Sequence, residues 1–191
     1  MHDDGLGLAL LAIARNAIAA ELDLTVDGAP QHAALDTPGA TFVTLFAHEE
    51  LRGCVGTLEP RRPLAIDVRE NALGAAFRDS RFLPLTAAEF AATWVEVSLL
   101  SPSESLKFTG EEDLLRQLVP GVDGLIIDYE RHRATFLPQV WESLPDPRGF
   151  LATLKRKAGL ATDFWSPQMN VSRYRVTKWK ESELLQDRIT P

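Results

Sequence analysis

Thr41-Phe42-Val43-Thr44-Leu45-Phe46-Ala47, followed after three residues by Leu51-Arg52-Gly53-Cys54-Val55-Gly56-Thr57, decides how this chain folds. Both runs are short and mainly apolar, and only His48-Glu49-Glu50 separates them. That pattern predicts an antiparallel hairpin with the second run as its return strand. Side chains alternate across a strand, so Arg52 and Cys54 share one face, roughly 7 Å apart along the backbone. Gly53 and Gly56 weaken a strand and mark places where another backbone or a ligand comes close. Cys54 is the one cysteine among 191 residues. A thiol, a guanidinium and bare backbone at one spot read as a site, although a lone cysteine also packs readily as a small hydrophobe.

Upstream of the hairpin, Leu11, Ala14, Ile18 and Leu22 fall at helical spacing with Arg15 and Glu21 off that stripe, predicting a helix over residues 5–22. Residues 23–38 read as a loop broken by Asp27-Gly28, Pro30 and Pro38. Downstream, Pro63 suits a first helical position. From there Leu64, Val68, Ala72 and Ala75 form an apolar stripe opposite Asp67, Glu70, Asn71 and Arg78. Thr86 with Glu89 fits a capping box, as does Thr109 with Glu112 before Leu114, Leu115 and Leu118. Val95, Val97 and Leu99 alternate with Trp94, Glu96 and Ser98, the signature of a two-faced strand.

Residues 124–129 and 133–137 predict a second hairpin turning through Glu130-Arg131-His132. Asp146 and Pro147 open a helix that runs to about Lys157, and the alternation over 171–179 predicts a last strand ending the folded part. Two hairpins with helices between them imply an α+β fold, mostly antiparallel sheets flanked by helices, over a doubly wound parallel sheet. No internal repeat, low-complexity tract or flexible linker interrupts the chain.

The length suits one large domain or two small lobes sharing a core. Hydrophobic residues make up 45% and charged residues 25%, the balance of a soluble globular chain. A single cysteine forms no internal disulfide, which fits a reducing cytosol. Asp3 and Asp4 stand where a secretory signal would be basic, and the uncharged stretch 5–14 is too short to span a bilayer. A net charge of −7 argues against broad or specific nucleic-acid binding. The local exception, Lys155-Arg156-Lys157 followed by Lys178 and Lys180, reads as a solvated face, with an anionic ligand or acidic partner as the other reading. There is no cysteine pair, no His-x-x-x-His and no P-loop, and Gly5-Leu6-Gly7 follows no strand, so no resident metal or other cofactor is expected.

The hairpin's second run resembles the signature of the AMMECR-type domain family, whose bacterial members are called AmmeMemoRadiSam system protein A. The likeness continues through Leu58-Glu59-Pro60-Arg61-Arg62-Pro63-Leu64, Ala75-Ala76-Phe77-Arg78-Asp79-Ser80-Arg81-Phe82 and Val95-Glu96-Val97-Ser98-Leu99-Leu100-Ser101-Pro102. It resumes at Gly124-Leu125-Ile126-Ile127, Ala134-Thr135-Phe136-Leu137-Pro138-Gln139-Val140 and Lys157-Ala158-Gly159-Leu160. The resemblance implies one AMMECR-type domain over residues 5–180, built as two unequal lobes with a cleft, and a C-terminal tail at 181–191. It also implies a cytoplasmic protein, with no membrane association, that works with a Memo-like protein and a radical-SAM enzyme. Within that system the chain is either an enzyme or enzyme subunit acting on a small-molecule or peptide-borne substrate, or a non-catalytic binding or adaptor protein.

Cysteine chemistry needs the thiolate, which a neighbouring cation favours, and Arg52 is placed to supply one. Backbone N–H groups of an open, glycine-flanked strand can hold an oxyanion. A nucleophile also needs a base in reach, and nothing in the sequence brings His2, His32, His48 or His132 to Cys54. Three roles therefore stand open for Cys54: catalysis, ligand contact and core packing. Arg52 must find solvent, a carboxylate or an anionic ligand, and Glu96, which also interrupts an apolar strand, is its candidate partner. Asn71, by the family pattern around it, would sit on the polar side of its helix and bond the glycine-rich backbone. The charged pairs of residues 77–82, bracketed by Phe77 and Phe82, read as a loop locked on a core. Gln139 either lines a pocket or caps the next helix. The candidate ligand-binding set is thus Arg52, Gly53, Gly56, Asn71, Glu96 and Gln139.

Overall fold

The structure is a computed structural model and describes residues 3–26, 28 and 30–186. It opens with helix α1 (Asp4–Glu21), a 3-10 turn at Ala33–Asp36 and strands β1 (Pro38–Gly39), β2 (Thr41–Ala47), β3 (Glu50–Gly56) and β4 (Arg62–Pro63). Then come α2 (Leu64–Phe77), α3 (Ala87–Phe90), β5 (Thr93–Leu100), β6 (Glu104–Ser105) and α4 (Glu111–Gln117). The chain continues with β7 (Gly124–Tyr129), β8 (His132–Phe136), a 3-10 turn at Pro138–Glu142, α5 (Pro147–Lys157), β9 (Asn170–Tyr174), β10 (Val176–Lys180) and α6 (Glu181–Gln186). This is the α+β arrangement that the two hairpins imply. It forms two compact units, one running to Leu100 and resuming at Thr177, the other covering residues 101–176.

The first unit carries a sheet ordered β10-β5-β2-β3, in which β2 lies antiparallel to both β3 and β5. Strand alternation sorts its side chains onto two faces. Val43 and Leu45 on β2 pair with Val55 and Gly53 on one side and with Val97 and Val95 on the other. That apolar face packs under α2 and α1, where Leu10, Ile18, Val43, Leu45, Val68 and Val97 are fully buried. The opposite face carries the rows Gly56–Phe42–Ser98 and Cys54–Thr44–Glu96, and beyond them the pair Phe46–Trp94. The second unit holds a sheet ordered β6-β9-β7-β8 over α4 and α5, around Leu114, Ile127, Phe150 and Leu154.

Several boundaries differ from the sequence expectation for local reasons. Both hairpin turns are one residue shorter: Glu50 and His132 belong to strands, and positive φ falls on His48 (50°), Glu49 (66°) and Glu130 (53°). These turn residues are not the Asn-Gly pairs that announce such a turn in sequence. Thr109 caps no box with Glu112; its N–H and hydroxyl both donate to Asp113 Oδ2, at 3.0 and 3.2 Å, and Gly110 is the N-cap. The alternating stretch 171–179 is two strands, β9 in one sheet and β10 in the other. Residues 181–186 of the stretch read as a tail form α6, and Glu181 is buried, accepting from Arg15 at 2.8 Å and from the Val95 N–H at 3.1 Å. The basic run is not a uniform solvated face either. Lys155 is wholly buried, donates to Glu111 at 2.7 Å and sits 5.5 Å from the Trp165 ring centre, because its place on α5 turns it to the same side as Leu151 and Leu154.

One glycine shows how tightly the sheet and α2 meet. A Cβ on Gly53 would lie 2.1 Å from the backbone oxygen of Ala75. Main chain on main chain leaves no flexible side chain to yield. Gly53→Ala is therefore expected to lower stability by about 3 kcal/mol, the upper end for overpacking, as read by chemical denaturation. A loss under about 0.5 kcal/mol, the scale of an ordinary surface change, would contradict this contact.

Candidate functional site

β3 is the last strand of its sheet, so one row of its backbone groups faces away from β2. Cys54 lies opposite Thr44, and its N–H is one of those outward groups: it donates to Asp79 Oδ2 at 2.9 Å. The pair is therefore a non-hydrogen-bonded one, the kind in which facing side chains come closest. Accordingly the Thr44 hydroxyl donates to Cys54 Sγ at 3.4 Å. The thiol itself is half-buried.

Asp79 stands just past the end of α2 with its side chain only 7% exposed. Arg81 grips it by a fork, Nε to Oδ1 at 2.9 Å and Nη2 to Oδ2 at 2.7 Å, and its backbone N–H also donates to Oδ1. The Arg81 guanidinium, the Cys54 N–H and the Arg81 N–H all favour the ionised carboxylate, Arg81 most, and they outweigh burial. The carboxyl is held well below its ordinary range. Arg81 Nη2 also reaches the outward carbonyl of Cys54 at 3.5 Å. Two side chains thus serve the donor and the acceptor that a neighbouring strand would have served.

Arg52 lies where the pairing slips: Leu45 faces Gly53 but Phe46 faces Leu51, leaving Arg52 as the extra residue of a bulge. Its Nη2 donates to the Leu83 carbonyl at 2.9 Å and to Glu89 Oε1 at 3.2 Å, and its Nε to the same oxygen at 3.3 Å. The Phe82 ring centre is 5.8 Å away, and the Arg52 side chain is 13% exposed. The expected Arg52–Glu96 pair does not form. Glu96 sits on β5, with β2 between it and β3, and its cation is Lys178 at 3.8 Å. Glu89 owes its place to the capping box of α3, where the Thr86 N–H donates to it at 2.9 Å. That bond is the chief cause holding the Glu89 carboxyl below its usual range, with Arg52 a lesser one. Arg52 Nη1 is buried without a hydrogen-bond partner.

The two glycines of the run have structural work. Gly53 passes under Ala75, and a Cβ on Gly56 would strike the Phe42 ring at 2.2 Å. Asn71 is not on a solvated helix face but 3% exposed; its Nδ2 donates to the Thr41 carbonyl at 2.9 Å and to Asp67 Oδ2 at 2.9 Å, not to the glycine-rich backbone. One turn earlier on α2, Asp67 is 1% exposed and accepts from the Thr41 N–H and hydroxyl, the Thr57 hydroxyl, Asn71 and Arg62 Nε. This hub fastens the start of β2 and the end of the Cys54 run to α2. Gln139 lies exposed on the 3-10 turn Pro138–Glu142 of the second unit.

The sequence reading missed Asp67, Asp79 and Arg81. Two polar residues four apart on one helix, Asp67 and Asn71, were the available signal for the first. Nothing in spacing alone ties Asp79 to Cys54. Chemically, no described histidine bonds the Cys54 sulfur: His32 bonds Asp3, His132 bonds the Ala158 carbonyl and His48 sits in the hairpin turn, while His2 is outside the described residues. The strand N–H that could have faced an oxyanion is occupied by a carboxylate. No group of three or more His, Cys, Asp or Glu side chains placed to hold a metal occurs among the described residues, and none of their helices is long and apolar enough to cross a membrane.

Around the hairpin turn and the start of β5, a depression of about 570 Å³ is lined by Phe46, His48, Glu49, Trp94, Glu96 and Lys180, with Ser182 of α6 among others. Trp94 is 48% exposed. His48 and Glu49 at its edge keep the left-handed backbone that non-glycine residues adopt at some energetic cost.

The AMMECR1 family model matches residues 11–179. Protein MJ0810 of Methanocaldococcus jannaschii is 39% identical over 150 residues, covering 74% of this chain and 73% of its own length. A protein of Aeropyrum pernix is 35% identical over 198 residues, covering 95% and 81%. Among solved structures, that of the uncharacterised protein PH0010 from Pyrococcus horikoshii superposes with a TM-score of 0.76 at 31% identity, over 95% of this chain and 93% of that one.

The Asp79 clamp makes a pH-dependent prediction. Its folded-state pKa is lowered, so its stabilisation is present above the unfolded pKa near 3.8 and is lost as pH falls through the folded value. At pH 7, Asp79→Asn should lower stability by about 1–2 kcal/mol, a charged hydrogen bond discounted for the exposure of Arg81. Denaturation at a series of pH values should show that gap narrowing below about pH 4. A gap that stays constant into acid would contradict the clamp.

Proposed function

We propose a function from the premise that this chain belongs to the AMMECR1 family: it is a binding protein that presents the β2–β3 hairpin to a protein partner, rather than an enzyme that uses Cys54 as nucleophile. The observation that carries this reading is the Cys54 N–H, which is committed to the Asp79 carboxylate and is not open to an oxyanion, while no described histidine bonds the sulfur. A nucleophile that forms an acyl intermediate needs a free oxyanion donor beside it and a base in reach. The resemblance to AmmeMemoRadiSam system protein A supplies the partner class, a Memo-like protein or a radical-SAM enzyme in the cytoplasm. The Trp94 depression supplies the surface. A half-exposed tryptophan beside Phe46 is the kind of anchor that dominates protein interfaces.

In this reading the segment of residues 78–89, loop and start of α3, and the two arginines hold β3 in one shape, so that the hairpin meets its partner already ordered. Titration calorimetry with the purified partners tests it. Trp94→Ala should weaken association about 30-fold, as loss of a central anchor of roughly 2 kcal/mol does, while Cys54→Ala leaves both association and turnover of the reconstituted system unchanged. Unaltered binding by Trp94→Ala would overturn the docking surface. Loss of turnover in Cys54→Ala with binding intact would instead make the chain a catalytic subunit.

A further inference from the structure

The run that ends at Thr57 leads into Leu58-Glu59-Pro60-Arg61-Arg62-Pro63, a segment stiffened by two prolines. Arg62 is fixed along its backbone as well, since β4 pairs with β1 in the register Gly39 opposite Arg62. Its side chain is held from below: Nε donates to Asp67 Oδ1 at 2.9 Å. Asp67 cannot shift to follow it, because the Thr41 N–H, the Thr41 and Thr57 hydroxyls and Asn71 already fasten that carboxylate at 2.7–2.9 Å.

Those four donors satisfy the buried carboxylate without Arg62. What the fifth bond adds is orientation of the guanidinium. Held by Nε alone, Arg62 keeps the edge formed by Nη1 and Nη2 free, and that edge matches the two oxygens of a carboxylate or phosphate. Arg62 borders a cavity of about 390 Å³ that is also lined by Thr57, Leu58, Glu59, Arg61 and Asp67, a size suited to a small ligand. Arg61 stands at the rim, 80% exposed and paired with the half-buried Glu59, from which a stronger acceptor can draw it. Leu58, 41% exposed, gives the cavity an apolar wall.

We propose that this cavity binds a small ligand through one oxyanion group, a carboxylate or a phosphate, gripped bidentately by Arg62 and covered by Arg61. Asp67 acts as the positioning residue beneath it. The two arginines are balanced by Glu59 and Asp67, so the site takes one such group and not a polyphosphate or a nucleic-acid backbone. The proposal goes beyond the partner-binding reading and does not rest on it, because the Trp94 depression shares none of these residues.

Amide and guanidinium NMR on the full chain tests it, with inorganic phosphate and acetate titrated separately against sodium chloride at matched ionic strength. The expected result is saturable shifts confined to residues 57–62 and the Arg62 Nε–H in at least one oxyanion arm, and none with chloride. Saturation in the phosphate arm alone identifies a phosphate ligand, in the acetate arm alone a carboxylate ligand. Arg62→Lys keeps a cation beside Asp67 but not the fork, and should weaken binding at least tenfold. Arg61→Gln, at an exposed position, should weaken it about threefold. Trp94→Ala should leave it unchanged, which separates this site from the docking surface. Shifts that fail to saturate in both oxyanion arms, or binding unaltered in Arg62→Lys and Arg61→Gln alike, would overturn the proposal.

Discussion

An edge strand must satisfy a row of backbone groups that no neighbouring strand will take, and β3 carries that constraint for this fold. Natural sheets blunt such edges with charge, bulges or a covering loop. All three devices meet here. Arg52 occupies a bulge, Asp79 and Arg81 take the outward N–H and carbonyl of Cys54, and the chain from the end of α2 to α3 lies along the strand. The features that make the Cys54 run look like a site are largely consequences of this closure. Gly53 is small so that α2 can approach, Gly56 so that Phe42 can lie across it, and Arg52 is charged so that it can fasten Leu83 and Glu89.

Two aspartates hold the run from different depths. Asp67, wholly buried, is surrounded by short donors and one guanidinium, the condition under which a carboxylate can remain in an interior. Asp79, near the surface, relies on the fork of Arg81 and on main-chain N–H groups. Between them the strand has little freedom to rearrange. Above Asp67, the cavity lined by Arg62 opens at the end of the run.

The hairpin, α1, α2, α5 and the two-faced β5 were legible in the sequence because each is written in a local period of apolar residues. The edge closure was not. Asp79 and Cys54 are joined across 25 residues by a single bond, and Glu89 serves Arg52 only because its capping box happens to stand beside the bulge. Arg52 with Glu96 was the natural pairing from composition, yet strand order puts β2 between them. Asn71 and Asp67 were assigned to a polar helix face by type, whereas the face that meets the hairpin is the one that needs polar side chains for Thr41. Lys155 failed for a similar reason. Its neighbours Arg156 and Lys157 are exposed, and only helical phase sets it among Leu151 and Leu154. Periodicity finds elements; it does not find the polar bonds between them.

The claim on which the rest turns is that the Cys54 N–H is occupied in the folded chain and is not an open donor. Native-state hydrogen exchange at that amide measures it directly. The closed edge predicts that Cys54 exchanges about as slowly as the interior amides of β2, despite lying on the outermost strand, and that Asp79→Ala accelerates it toward the rate of an unprotected edge. Rapid exchange of the Cys54 amide in the unsubstituted protein would contradict the closure and return the strand to consideration as an open, oxyanion-binding edge.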